Sequence, residues 1–348
     1  MQFMKHAATA TMAVLTGATI LAAPTPAPAQ SAAEFYRGKT LLLQVGYAPG
    51  GGYDTYARSF ARHYGSKVAG SPTVVVQNVP GAGSLKLTNQ IYNSAPRDGS
   101  VIGAIGREQV TAQLFGVKGV QFDATKLNWL GNLDSAASLC VAWHTTPFKT
   151  IEDLRTQEMA VGGTGPASIT VVLPTTLNSI LGYKFKVVSG YPGGNDINLA
   201  LERGEVQGRC GWSYASIKTT QQQWLKDGKL RFLTVSSFKR LPDLPDVPSV
   251  TELAKSTEHK QVLELVLAGQ SMARPFVAPP EVPTERLAAL RAAFTATVKD
   301  AAFLKDAAHQ NLELAPMDWS EMTTVVERIY ATPKGVVKAA TDAVARAR

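Results

Sequence analysis

The chain has 348 residues, with 45% apolar and 18% charged side chains. At roughly 100–200 residues per domain this suggests about two domains with ample material for a core, and it excludes bulk disorder. Lys and Arg number 35 against 27 Asp and Glu, a net charge of +8, and only two cysteines occur. Two cysteines exclude a disulfide scaffold and a four-cysteine zinc module. The positive charge alone admits nucleic acid, anionic membranes or small anions.

Residues 1–29 read as a secretory signal peptide. Lys5 gives a positive start, Ala7 to Ala23 is an uncharged apolar run, and Ala27-Pro28-Ala29 offers a cleavage site. The competing reading is a retained membrane anchor. Export to an oxidising compartment makes an even cysteine pair favour a disulfide, Cys140–Cys210, with two buried thiols as the alternative.

In chain order, apolar runs alternate with Gly-rich turns and helical segments. Leu41–Tyr47 reads as a strand, followed by Pro49-Gly50-Gly51-Gly52 and a helix opened by Asp54. Val74–Val76 leads into Asn78–Ser84 and a second helix, and Val101–Ile105 is a third strand. The pattern restarts after Leu130. Leu139–Trp143 reads as a strand, and Thr150 with Asp153 suggests a capping box. Met159–Val161 enters Gly162–Ser168 and a helix, and Phe185–Val188 enters Ser189–Asp196 and another. Val206–Trp212 and Leu230–Val235 supply further strands. The Pro-rich stretches Leu241–Pro248 and Arg274–Pro283 read as extended connections. Helices after Thr284 and Asp318 close the chain, and Asp318 with Glu321 suggests a second capping box. This alternation predicts α/β architecture with largely parallel sheets.

Gly46–Asp54 and Gly190–Asp196 echo one another, one in each half. A Gly-rich strand-to-helix turn exposes backbone N–H groups beside the positive end of a helix dipole, which together attract an anion. Four such turns predict a small-anion cleft at the carboxyl ends of the strands.

Other chemistries fit less well. Gly38-Lys39-Thr40 lacks the first glycine of a phosphate loop, and it precedes a strand instead of following one. Gly163-Thr164-Gly165 lacks the last glycine of a dinucleotide fingerprint. Gly211-Trp212-Ser213-Tyr214-Ala215 is a near miss for a hydrolase elbow without an accompanying oxyanion loop. An exported hydrolase centred on Ser213 or Asp196 nevertheless stands as the alternative. No spacing suggests a metal, no cofactor is expected, and scattered basic residues argue against nucleic acid.

The ordered set Ala48-Pro49-Gly50-Gly51-Gly52-Tyr53-Asp54 with Ala57-Arg58, Asn78-Val79-Pro80-Gly81-Ala82-Gly83, Ala95–Gly99, Gly162–Gly165, Leu244–Val250 and Ala278–Pro283 resembles the tripartite tricarboxylate transporter receptors, the Bug family. The resemblance spans nearly the whole chain after the signal. It implies a periplasmic binding protein with two α/β lobes, of the Venus-flytrap, type II-like kind, with a ligand cleft between them. Residues 31–133 plus 262–348 would form the first lobe and 134–261 the second. Such a receptor is no enzyme. It binds a small carboxylate and delivers it to membrane permease subunits, and a monomer is expected. A ligand sensor without a transport role is a further alternative. By position, Ala48, Gly50, Gly51, Gly52 and Asp54 would face Gly163, Thr164, Gly165 and Ser168 across the ligand. Where the sequence departs from the family pattern, ligand choice is expected to be written: Arg107 forking onto a second carboxylate, Tyr191, Asn195 and Asp196 in the second-lobe turn, and Arg209-Cys210-Gly211-Trp212, with Trp212 against the ligand's carbon body. Arg107 as a surface or lobe-bridging residue, Trp212 as core and Asp196 as a helix cap are the plainer readings.

Overall fold

A computed structural model describes residues 30–135 and 137–345; the expected signal peptide lies outside them. Two mixed sheets carry the fold. The first contains β1 (Thr40–Val45), β2 (Thr73–Asn78), β3 (Val101–Ala104) and β4 (Asn128–Asn132). The second contains β5 (Ser138–Trp143), β6 (Met159–Gly163), β7 (Phe185–Ser189), β8 (Gly208–Ser213) and β9 (Leu230–Ser236). The chain then returns to the first sheet with β10 (Pro275–Ala278) and β11 (Met317–Asp318). The strand orders are β11-β4-β10-β3-β1-β2 and β7-β6-β8-β5-β9.

The sheets are less parallel than predicted. In the first, β1 is parallel to β2 and β3, whereas β10 runs antiparallel to both β3 and β4. In the second, β6 is parallel to β7 and β8, whereas β5 runs antiparallel to both β8 and β9. The reason is topological. β5 and β10 are the strands by which the chain enters each sheet from the other, so they start at the end where the parallel strands finish. The two crossings are stitched together. Leu133 N–H donates to Arg274 O (3.2 Å) and Ala273 N–H donates to Asp134 O (2.8 Å). The Asn132 side chain accepts from Arg274 N–H at 2.7 Å.

β10 corrects the reading of Arg274–Pro283 as a connection. Pro275 sits at the strand's first position, where the missing N–H costs least, and Phe276, Val277 and Ala278 are buried. Two helices bear on the expected lobe boundaries. Position 261/262 falls inside helix Thr257–Leu267. The last helix, Lys334–Ala345, packs on that helix and on Ile169–Leu181 of the second lobe, with Ala340, Ala343 and Val344 buried there. Both predicted capping boxes form, at Thr150/Asp153 and Asp318/Glu321, although the first opens a 3-10 turn, Ile151–Arg155. Cys140 of β5 and Cys210 of the adjacent β8 are joined in a disulfide.

Among the described residues no helix is long and apolar enough to cross a membrane.

Candidate functional site

The parallel strands deliver their carboxyl ends, and the Gly-rich turns after them, to one place. The turn after β1 is folded around Asp54. Gly50, at φ +79°, gives its N–H to the Asp54 carboxylate at 2.8 Å. Arg58 Nε and Asn78 Nδ2 donate to the same group at 2.9 and 2.8 Å. Burial pushes the Asp54 carboxyl up, but the Arg58, Gly50 and Asn78 hydrogen bonds outweigh it and hold the group below the usual carboxylate range. Asp54 thus shapes the turn and does not line the cavity beneath it. Asp54→Asn is expected to cost about 2 kcal/mol at pH 7. Because the folded pKa is lowered, that stability is complete above the ordinary carboxylate value of about 4 and is lost as pH falls through the folded value. Urea unfolding of both proteins between pH 7 and 2.5 should show the gap closing in acid; a gap independent of pH would refute the carboxylate's role.

The turns of the two lobes meet. Ala48 N–H donates to Pro192 O at 3.3 Å, and Arg274 Nη2 donates to Ser216 Oγ at 2.6 Å. Gly165 packs on the Ala82–Gly83 main chain. Together they close a cavity of about 60 Å³. Of the residues singled out in the sequence, Gly51, Gly52, Arg107, Thr164, Ser168, Asn195 and Trp212 line it. Ala48, Gly50 and Gly165 instead lie where the two lobes' loops touch, and Gly163 backs onto Val171 and Val187. Tyr191 packs against the second lobe's Trp-rich core, and Asp196 sits in the first turn of helix Gly194–Glu202.

The lining also includes Arg209, from the Arg209–Trp212 departure, and residues the sequence reading gave no role, notably Tyr47, Tyr53, Glu108, Asn198 and Arg274. Arg209 is a lone charge in the buried strand β8, a second signal beside its departure from the family pattern. Its Nη1 donates to Gly194 O (3.0 Å) and Asn198 Oδ1 (2.9 Å). Its guanidinium lies 4.4 Å from the Trp212 ring centroid. Burial, with a smaller push from Arg274, drives it down to about 9. An arginine keeps its proton in proteins, so the charge stays and its burial is poorly compensated. Arg274 sits between Tyr53 and Tyr56, 4.6 and 4.9 Å from their centroids. Arg107 differs, because Glu108 lies 3.2 Å away and, against the downward pull of burial, holds it above its ordinary value. Burial pushes the Tyr53 hydroxyl up to about 12, so that group stays protonated. It also accepts the Arg107 N–H at 3.0 Å.

The hydrolase alternative lacks its base. Ser213 Oγ caps helix Tyr214–Thr220, accepting Ser216 N–H at 3.3 Å, and no histidine lines the cavity. Among the described residues no cluster of His, Cys, Asp and Glu could hold a metal.

The family model for the tripartite tricarboxylate transporter family receptor matches residues 57–341. The chain belongs to that receptor family. It is 29% identical over 266 residues to the "UPF0065 protein in gbd 5'region" of Cupriavidus necator, covering 73% of this chain and 75% of that one. The receptor shares its fold with the periplasmic binding protein BugD, at TM-score 0.71 and 21% identity, covering 88% of this chain and 98% of the other. It also shares it with MatC from Rhodopseudomonas palustris, solved with bound malate, at TM-score 0.66 and 19% identity, covering 86% and 99%. The architecture is therefore that of a two-lobed periplasmic binding protein, and the receptor family is one of solute binders, not enzymes.

Proposed function

We propose that this receptor is exported, takes a small carboxylate into the cavity between its lobes, and presents the closed form to membrane permease subunits. The observation that carries this reading is charge. Three arginines and one glutamate line a cavity closed by the turns of both lobes, so an anion is the guest that balances it. Gly51, Gly52, Thr164, Ser168 and Asn195 supply main-chain and short polar groups around it. The lobes hinge about the stitched crossings at Asn132–Asp134 and Ala273–Arg274. For ligand to favour closure, the closed form must bind it more tightly than the open one. The relative bound to malate is consistent with this guest class.

The test is a thermal-shift screen of the mature protein against mono-, di- and aromatic carboxylates. A true ligand at 100 times its dissociation constant adds about 2.7 kcal/mol of stability. No shift from any carboxylate, with the protein folded, would defeat the proposal.

A further inference from the structure

We infer that helix Tyr214–Thr220 latches the closed form through a Lys218–Glu313 ion pair between the lobes, remote from the ligand, so that the receptor also closes without ligand and the latch scales its affinity for every ligand alike. The inference rests on the hinge closure of the reading above, and it concerns how closure is held, not what is bound.

The helix follows β8 directly and belongs to the second lobe, where Tyr214 N–H donates to Ala137 O at 3.0 Å and Ala215 and Ile217 are buried. Residues 311–315 belong to the first. Leu312 is buried in the core beneath β1, Ala315 N–H donates to Leu133 O at 3.0 Å, and the Tyr56 hydroxyl donates to Glu313 O at 2.9 Å. One face of the helix walls the cavity. Ser213, Ser216 and Thr220 line it, at the three- and four-residue spacing of a single helix face. Lys218 and Thr219 do not line it, and neither do Asn311 and Glu313.

Both latch residues have partners in their own lobe as well as across the gap. Lys218 Nζ pairs with Glu313 of the first lobe, and on its own side it lies 3.6 Å from Asp243 and 4.4 Å from the Tyr214 ring centroid. Burial pulls the Lys218 ammonium down, but the Glu313 hydrogen bond and charge outweigh it and hold the group above its ordinary value. The pair is therefore intact at neutral pH. Thr219 Oγ1 lies 2.8 Å from Asn311 O across the lobes and 2.9 Å from Ala215 O in its own helix. A hydroxyl has one hydrogen to donate, so parting the lobes returns it to Ala215, as it returns Lys218 to Asp243 and the ring. Opening thus strands neither group, which makes the latch reversible. It is also weak, because 30% of the Lys218 side chain and 50% of the Glu313 side chain remain accessible, and such pairs shift an equilibrium by a few fold. Since these contacts do not touch the ligand, weakening them lowers only the share of closed molecules. Apparent affinity for each ligand then falls with that share.

The experiment places one dye on each lobe and counts closed and open molecules by single-molecule energy transfer, without ligand, in wild type, K218M, E313Q and the double variant. Each single variant should lower the closed-to-open ratio about threefold. The double variant should lower it no further, because both changes remove the same pair. Titration with the carboxylates that respond in the thermal screen should then show a loss of one common factor for all of them, no larger than about threefold. Unliganded wild type with no closed molecules overturns the inference. So does a wild-type ratio in either single variant, or a loss that differs from ligand to ligand. Wild type that binds no carboxylate removes the carboxylate reading alone, and the unliganded ratios still decide the latch.

Discussion

Gly165→Val is expected to lower ligand affinity by at least about 100-fold while leaving the secondary structure intact. Gly165 lies in the turn after β6, at φ +155°, where it meets the first lobe. A Cβ there would stand 2.3 Å from the Ala82 carbonyl carbon and 2.5 Å from Gly83 N. Both are main-chain atoms, so no rotamer change relieves the contact. The opposing Gly83 is as tightly fitted, since its own Cβ would stand 2.7 Å from Ser168 Cβ. These two glycines let the turns of opposite lobes touch backbone to backbone. With the lobes apart, the valine side chain has room and costs only local strain of about 1–3 kcal/mol. With the lobes closed, it holds the turns open and separates the ligand's contacts on one lobe from those on the other. A loss of 2.7 kcal/mol in binding corresponds to the stated 100-fold. Titration with the best carboxylate of the screen reads the affinity, and small-angle scattering reads whether ligand still compacts the protein. Wild-type affinity in this variant would show that the Gly165 contact is not part of the bound state.

The turns were legible in the sequence because their signal is local. Gly50–Gly52, Gly81–Gly83 and Gly163–Gly165 each need only a few neighbouring residues to be recognised, as do the capping boxes at Thr150 and Asp318. The roles of Arg209 and Arg274 were not, because they are entirely tertiary. Arg274 stands at the crossing between lobes and bonds Ser216, 58 positions away in the chain. Arg209 faces a helix start that only the packing of β8 beside β6 brings near. β10 was hidden for a related reason. Four residues opening on a proline carry little strand signal alone, and this strand exists because β3 and β4 offer an edge on either side. The mixed character of the sheets follows from where the chain crosses between lobes, which periodicity does not record.

Replacing Cys140 and Cys210 together by alanine is expected to destabilise the protein by about 4 kcal/mol. The bond closes a loop of 70 positions, and the chain-entropy relation assigns about 4 kcal/mol to a loop of that length through the unfolded state. That loop contains β6, β7 and the helices between them, which form one flank of the second lobe. Both cysteines are fully buried, so reductant alone should act slowly on the native protein and quickly once urea opens it. Urea unfolding with and without reductant should therefore give two midpoints for the wild type and one for the alanine pair. Affinity is expected to change far less than stability. Cys210 lies between Arg209 and Trp212 on β8, but the register of that strand is also fixed by its ladder to β5 and its pairing with β6. The unlinked but folded protein therefore still presents Arg209 to the cavity. A single midpoint for wild type under both conditions would show that the thiols are not linked. A parallel collapse of affinity in folded alanine protein would show that the bond, and not the sheet, positions Arg209.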